Sequence, residues 1–297
     1  MTDASFMQGV IVKGVGGLYY ARDLEQKIHV LRAKGVFRKR HITPLVGDAI
    51  RFSPGAQDDQ GWIEEVLPRT NELVRPPVAN IRYLVFVLAP EPEPDFLLLD
   101  RMLVMARAQR IEPLLVVNKC ELDTSLGEKI RREYALAEAP VFEVSAKLGQ
   151  GVPALANELR KGICCFAGQS GVGKSSLLNA VTGLTLESGE ISRKIARGKN
   201  TTRHAELLAK DGFQVLDTAG FSLLELSDQL EPVQLKTYYP EFMPFEGDCR
   251  FQPCYHKGEP GCAVLEAARN GTLPPERVER YHQLLAKVKE TWRNRYV

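Results

Sequence analysis

Two groups of residues carry recognisable chemistry. Gly168-Gln169-Ser170-Gly171-Val172-Gly173-Lys174-Ser175 has the spacing G-x-x-x-x-G-K-[ST], and Cys249, Cys254, His256 and Cys262 have the spacing C-x4-C-x-H-x5-C. In the first group, glycines let backbone N–H groups turn inward around a phosphate, Lys174 brings charge to the outer phosphates, and Ser175 offers a hydroxyl to Mg2+. Gly168 to Ser176 are therefore the candidate phosphate-binding residues. In the second group, three thiolates and an imidazole suit tetrahedral structural Zn2+. Four ligands fill the coordination shell, so this metal would fold a segment rather than hydrolyse a substrate.

Further loops fit a nucleotide site. Asp217-Thr218-Ala219-Gly220 closes the predicted strand Phe213 to Leu216. There the Asp217 carboxylate can hold Mg2+ through water, and the Gly220 amide can sense a γ-phosphate. Gly198 to His204 offers Thr202 as a hydroxyl that could close over Mg2+ in the triphosphate state. Asn118-Lys119-Cys120-Glu121 follows a predicted strand, Pro113 to Val117, and resembles the N-K-x-D guanine-reading loop of GTPases. A carboxylate there accepts guanine N1–H and N2–H2 together, which adenine cannot offer. Glu121 stands where Asp is usual, keeping the charge on a side chain one methylene longer, and this leaves ATP open as a substrate. Ser145-Ala146-Lys147 resembles the second base-contacting loop. These base loops precede the phosphate loop, reversing the ordinary order. Such a circular permutation is sterically reasonable, because all the loops lie at the carboxyl edge of one sheet.

The elements that must position these residues fall into three stretches. Residues 1–73 contain five short β segments, Gly9 to Lys13, Leu18 to Ala21, Lys27 to Leu31, Asp48 to Phe52 and Gly61 to Leu67, which suggest a small barrel. Residues 74–226 alternate buried-type strands (Tyr83 to Leu88, Pro113 to Val117, Val141 to Val144, Ile163 to Ala167, Phe213 to Leu216) with amphipathic stretches such as Phe96 to Gln109. That alternation predicts an α/β fold with a parallel sheet covered on both faces. Asp211-Gly212 suits a tight hairpin, so one strand pair should be antiparallel. Residues 227–297 are broken by prolines and end in an amphipathic helix with Val278, Tyr281, Leu284, Leu285, Val288 and Trp292 at helical spacing.

Composition excludes several classes. With 297 residues, 44% hydrophobic and 26% charged, the chain is long enough for two or three domains with full cores and unlike a disordered or collagenous one. The longest apolar run, Tyr83 to Ala89, is far too short to span a membrane, and Met1 to Val10 lacks the apolar core of a secretory signal. A cytoplasmic protein is expected. Six cysteines are too few for a disulfide framework, and Cys164 and Cys165 read as core residues. The net charge of +2 does not by itself suggest a polyanion partner, but the bases cluster locally. Lys27, Arg32, Lys34, Arg38, Lys39, Arg40 and Arg51, with Phe37 interleaved, face only Asp48; Arg193, Lys194, Arg197, Lys199 and Arg203 form a second strip. Two strips and a zinc module favour RNA as partner.

Taken together, these motifs resemble the ribosome small-subunit-dependent GTPase family (RsgA type) over nearly the whole chain. Family-like runs include Phe37-Arg38-Lys39, Thr43 to Asp48, Thr70 to Pro77, Gln169 to Val172, Thr201 to His204 and the Cys/His quartet. The resemblance implies a circularly permuted P-loop GTPase domain flanked by an N-terminal OB-fold barrel and a small C-terminal zinc domain. It further implies a monomer that binds GTP/GDP with Mg2+ and one Zn2+, docks on the 30S subunit and its 16S rRNA late in maturation, and hydrolyses GTP under stimulation by that subunit. Asn200 stands where the family has a His, and Phe221 where Ras-like enzymes have a Gln, so intrinsic turnover should be slow. The same two residues leave a competing expectation, a nucleotide-gated RNA-binding module with little hydrolysis.

Overall fold

The computed structural model describes residues 6–55, 59–73, 77–183, 206–217 and 230–295, with the Asp217 side chain excepted. Five strands, β1 (Met7–Val15), β2 (Leu18–Asp23), β3 (Ile28–Ala33), β4 (Ala49–Ser53) and β5 (Gly61–Val66), pair in the order β1-β2-β3-β5-β4. The β1–β4 pairing closes them into a barrel, and β3 runs parallel to β5, the arrangement expected of an OB-fold. Alternating side chains fill it: Ile11, Ala21, Leu31, Ile50, Phe52 and Ile63 are fully buried. β1 is longer than its apolar pattern predicts because it serves two partners. Met7 to Val10 pair with β4, while Lys13 bridges to Glu206 in the next unit. The short helix α1 (Gly35–Lys39) connects β3 to β4, and its Phe37 is buried. Phe37 therefore packs into the barrel core and is not available to stack on a base.

β6 (Glu72–Leu73) and β7 (Val78–Ala79) make a small ladder leading into the second unit. There, parallel strands run in the order β10 (Val141–Glu143), β9 (Glu112–Val117), β8 (Ile81–Leu88), β11 (Ile163–Ala167) and β13 (Phe213–Asp217). β12 (Glu206–Lys210) pairs antiparallel to β13 through the Asp211-Gly212 turn, as predicted. Helices α2 (Phe96–Ala108) and α3 (Ser125–Glu133) cover one face through Leu99, Met102, Leu103, Leu126 and Ile130. α4 (Val152–Leu159) and α5 (Lys174–Thr182) cover the other through Leu155, Leu159, Leu177 and Leu178. Strands buried on both faces account for the unbroken apolar runs. Cys164 and Cys165 lie in this core, as expected.

The third unit contains a 3₁₀ segment (Pro232–Tyr238) and helices α6 (Met243–Glu246), α7 (Ala263–Arg269) and α8 (Pro275–Asn294). Five of the six residues predicted on the apolar face of α8 are buried; Trp292 is only partly so. The buried face also carries Arg277, which is 1% exposed. Arg277 Nε donates to Glu241 Oε1 at 2.9 Å and its Nη1 donates to Asp100 on α2. Arg280 Nε donates to Asp100 Oδ2 at 2.9 Å, and the Tyr134 hydroxyl donates to Asp100 Oδ1 at 2.6 Å. Leu97 and Val104 of α2 join the apolar cluster of the third unit. One helix thus packs on the sheet with one face and on the third unit with another.

Candidate functional site

The phosphate loop joins the buried strand β11 to α5. Gly168, Gly171 and Gly173 have φ of 132°, 86° and 89°, a region side chains rarely adopt. A Cβ on Gly168 would stand 2.2 Å from Val87 O, and one on Gly173 would stand 2.5 Å from Asn118 Nδ2. The glycines are required both by conformation and by close approach. α5 begins at Lys174, so its unpaired N-terminal amides and positive dipole end sit at the loop, with half-buried Ser175 and exposed Ser176 in the first turn. Lys174 Nζ folds back onto Gly168 O at 2.9 Å and Gln169 O at 2.6 Å, and burial lowers its pKa from the ordinary lysine value. An anion in the loop would offer it a stronger partner than two carbonyls.

The base loops meet this loop directly. Asn118, 2% exposed, donates from Nδ2 to Val172 O at 2.9 Å and accepts at Oδ1 from Ala146 N at 3.1 Å. Lys119 Nζ donates to Glu91 O and Gly171 O, both at 2.8 Å. One dipeptide therefore ties loops 118, 145 and 168 together, although they are distant in sequence. Glu121 is exposed beside this junction. A hydrogen bond from Ser145 first, then its own backbone amide and the Lys147 and Lys119 charges, hold its carboxyl below the usual range. Ser145 is fully buried and Lys147 exposed. An exposed, ionised carboxylate braced by a serine can accept two adjacent N–H groups of a purine. Asp217 ends β13, whose neighbour is β11, so its backbone lies at the same carboxyl edge. Thr202, Gly220, Asn200 and Phe221 lie outside the described residues, as does the second basic strip.

In the third unit the ligand atoms of Cys249, Cys254, His256 and Cys262 lie within 4.8 Å of one another, and all four residues are buried. His256 Nδ1 faces Cys249 Sγ at 3.7 Å and Cys262 Sγ at 3.3 Å. Burial pushes the Cys254 thiol up to about 12, so thiolates here need a cation to offset it. The donor set fits Zn2+ with no open position. Phe242 packs edge-on to His256 and Tyr281, which places the Cys/His cluster within the unit's small core.

The first basic strip is divided by the fold. Lys34 pairs with Glu64, and Arg51 Nη1 pairs with Glu65 Oε2 at 3.1 Å. Arg38, Lys39 and Arg40 on and after α1 are exposed and have no ion pair among the described residues. Sequence reasoning missed the buried charges Asp100, Arg277 and Glu241, because helical patterns with scattered charges look like solvated faces.

The family model described as RsgA GTPase matches residues 66–227, and that described as RsgA N-terminal domain matches residues 8–63. The chain is 44% identical over 287 residues to a protein of Ruminiclostridium cellulolyticum named Small ribosomal subunit biogenesis GTPase RsgA, covering 95% of this chain and 94% of that one. A Geobacillus kaustophilus protein of the same name is 43% identical over 289 residues, with 95% and 98% covered. Among solved structures, YjeQ from Thermotoga maritima superposes with a TM-score of 0.81 at 34% identity, covering 95% of this chain and 98% of that one. YloQ, described as a circularly permuted GTPase, gives 0.80 at 33% identity, with 98% of each chain covered.

Proposed function

The chain belongs to the RsgA GTPase family, and from that premise we propose that it hydrolyses GTP as an assembly factor of the small ribosomal subunit. The observation that carries the reading is the junction of Asn118 and Lys119 with Val172 and Gly171, which unites base-reading and phosphate-binding loops in permuted order. In this reading Gly168 to Ser176 wrap the phosphates, Lys174 contacts the outer phosphates, and Ser175 and Asp217 hold Mg2+ while Thr202 closes over it. Gly220 senses the γ-phosphate, and Asn118, Lys119, Glu121 and Ser145 to Lys147 hold guanine. Cys249, Cys254, His256 and Cys262 hold one structural Zn2+. No helix among the described residues is long and apolar enough to cross a membrane.

We further propose that the protein acts in the cytoplasm as a monomer whose partner on the 30S subunit is 16S rRNA. Support comes from the uncompensated cluster Arg38, Lys39 and Arg40 on the barrel, since each phosphate neutralised by such a base releases counterions. The functional units follow as 1–73 for RNA contact, 74–226 for GTP and 227–297 for zinc. GTP turnover titrated with purified 30S subunits tests the reading. Stimulation that fades at raised salt and vanishes in Lys174→Ala is expected, and turnover indifferent to 30S subunits would overturn it.

A further inference from the structure

Residues Glu91 to Asp95, between β8 and α2, form a strap against the phosphate loop. Gln169 holds it with both ends of its amide: Oε1 accepts from Asp95 N and Nε2 donates to Glu93 O, each at 3.0 Å. Lys119 Nζ joins Glu91 O to Gly171 O. Pro92 Cδ would stand 3.6 Å from a Cβ on Gly171, so the strap lies beside the loop's middle with room for one methyl between them. The strap's far end is fixed as well. Asp95 caps α2, accepting from Leu98 N at 2.8 Å, and Asp100 anchors that helix to Arg277 and Arg280.

An empty phosphate loop is electrostatically awkward, because its N–H dipoles converge on one point. Something outside the loop must hold it open for its ligand to meet a preformed cradle. Lys174 now braces the opening turn at Gly168 O and Gln169 O, but phosphate would draw it away. The Gln169 clamp, which is engaged with the strap and not offered to the cradle, would stay.

We propose that Gln169 is a positioning residue for nucleotide binding, making the loop's affinity depend on strap 91–95 and on α2 behind it. The inference rests on reading the loop as a nucleotide site. Its test compares wild type, Gln169→Ala and Gln169→Met for binding of a fluorescent GDP analogue with Mg2+, for 30S-stimulated turnover at saturating GTP, and for thermal stability. Losing the two hydrogen bonds that keep the cradle preformed should weaken GDP binding about tenfold, through slower association, with melting lowered by no more than about 5 °C. Met, which matches the length of Gln without its polar atoms, should bind as weakly as Ala. Unchanged affinity in both variants would overturn the proposal, as would restoration by Met. A fall in kcat with affinity intact would also overturn it, since Gln169 would then act on the reacting groups. Absence of GDP binding by wild type would instead sink the nucleotide reading itself.

Discussion

Replacing Arg277 by Met tests what joins α8 to α2. The guanidinium is 1% exposed and supplies both hydrogen bonds to Glu241 Oε1, while Glu241 Oε2 has no partner among the described residues. Asp100 would keep Arg280 and Tyr134. The loss therefore falls on one carboxylate, stranded in a site 4% exposed. Breaking a buried pair from one side costs roughly 3–5 kcal/mol, whereas removing both charges is often close to neutral. At about 2–4 °C per kcal/mol for a protein of this size class, Arg277→Met should lower the first calorimetric transition by roughly 10 °C. Adding Glu241→Gln should recover more than half of that. A single variant within about 1 kcal/mol of wild type, or a double variant no better than the single, would refute the assignment of this seam as the joint.

Asn118→Ala removes the donor to Val172 O and the acceptor of Ala146 N, each contributing about 1 kcal/mol, so GDP affinity measured by calorimetry should fall at least tenfold. Chelation of Zn2+, or Cys254→Ser, should unfold the third unit while the barrel persists; metal analysis should give one Zn2+ per chain, and near-UV dichroism should lose the signal of Tyr239 and Tyr281. Lys161 first, and the Tyr83 hydroxyl next, hold Glu158 below its ordinary 4.5. A lowered carboxylate contributes stability above that value and loses it as pH falls through the lower folded one. Glu158→Gln should thus be less stable than wild type at neutral pH, by under about 1 kcal/mol given partial exposure, with the gap closing below about pH 4.5 in urea titrations.

Much of this architecture was legible because the informative signals are local. Ile163 to Ala167 followed by glycines and Lys174 states strand, loop and helix in fourteen residues or so, and the Cys/His spacing defines a closed shell without any fold. Barrel closure was legible as five short strands, but the double duty of β1 was not, since Lys13 meets Glu206 only across the whole chain. The basic strip misled for the same reason: the acids that neutralise Lys34 and Arg51 come from β5, outside the strip. Phe37 read as part of a binding surface because a single buried aromatic in a basic stretch has no periodicity to reveal it. Arg277 was invisible on α8, where its neighbours Glu276 and Glu279 suggest water rather than a buried partner on another unit.

The barrel touches the flank of the nucleotide sheet at two points of β12: Lys13 bridges to Glu206, and Arg22 Nη1 donates to Ala209 O at 3.3 Å. Exposed strand margins are sites of unwanted cross-pairing between molecules. At its opposite border the sheet ends in β10, a strand of only three residues. With the barrel excised, Glu206 and Ala209 would lose these partners, and the truncated chain is expected to self-associate more readily than the whole one. In that case the barrel shields part of a strand margin from cross-pairing.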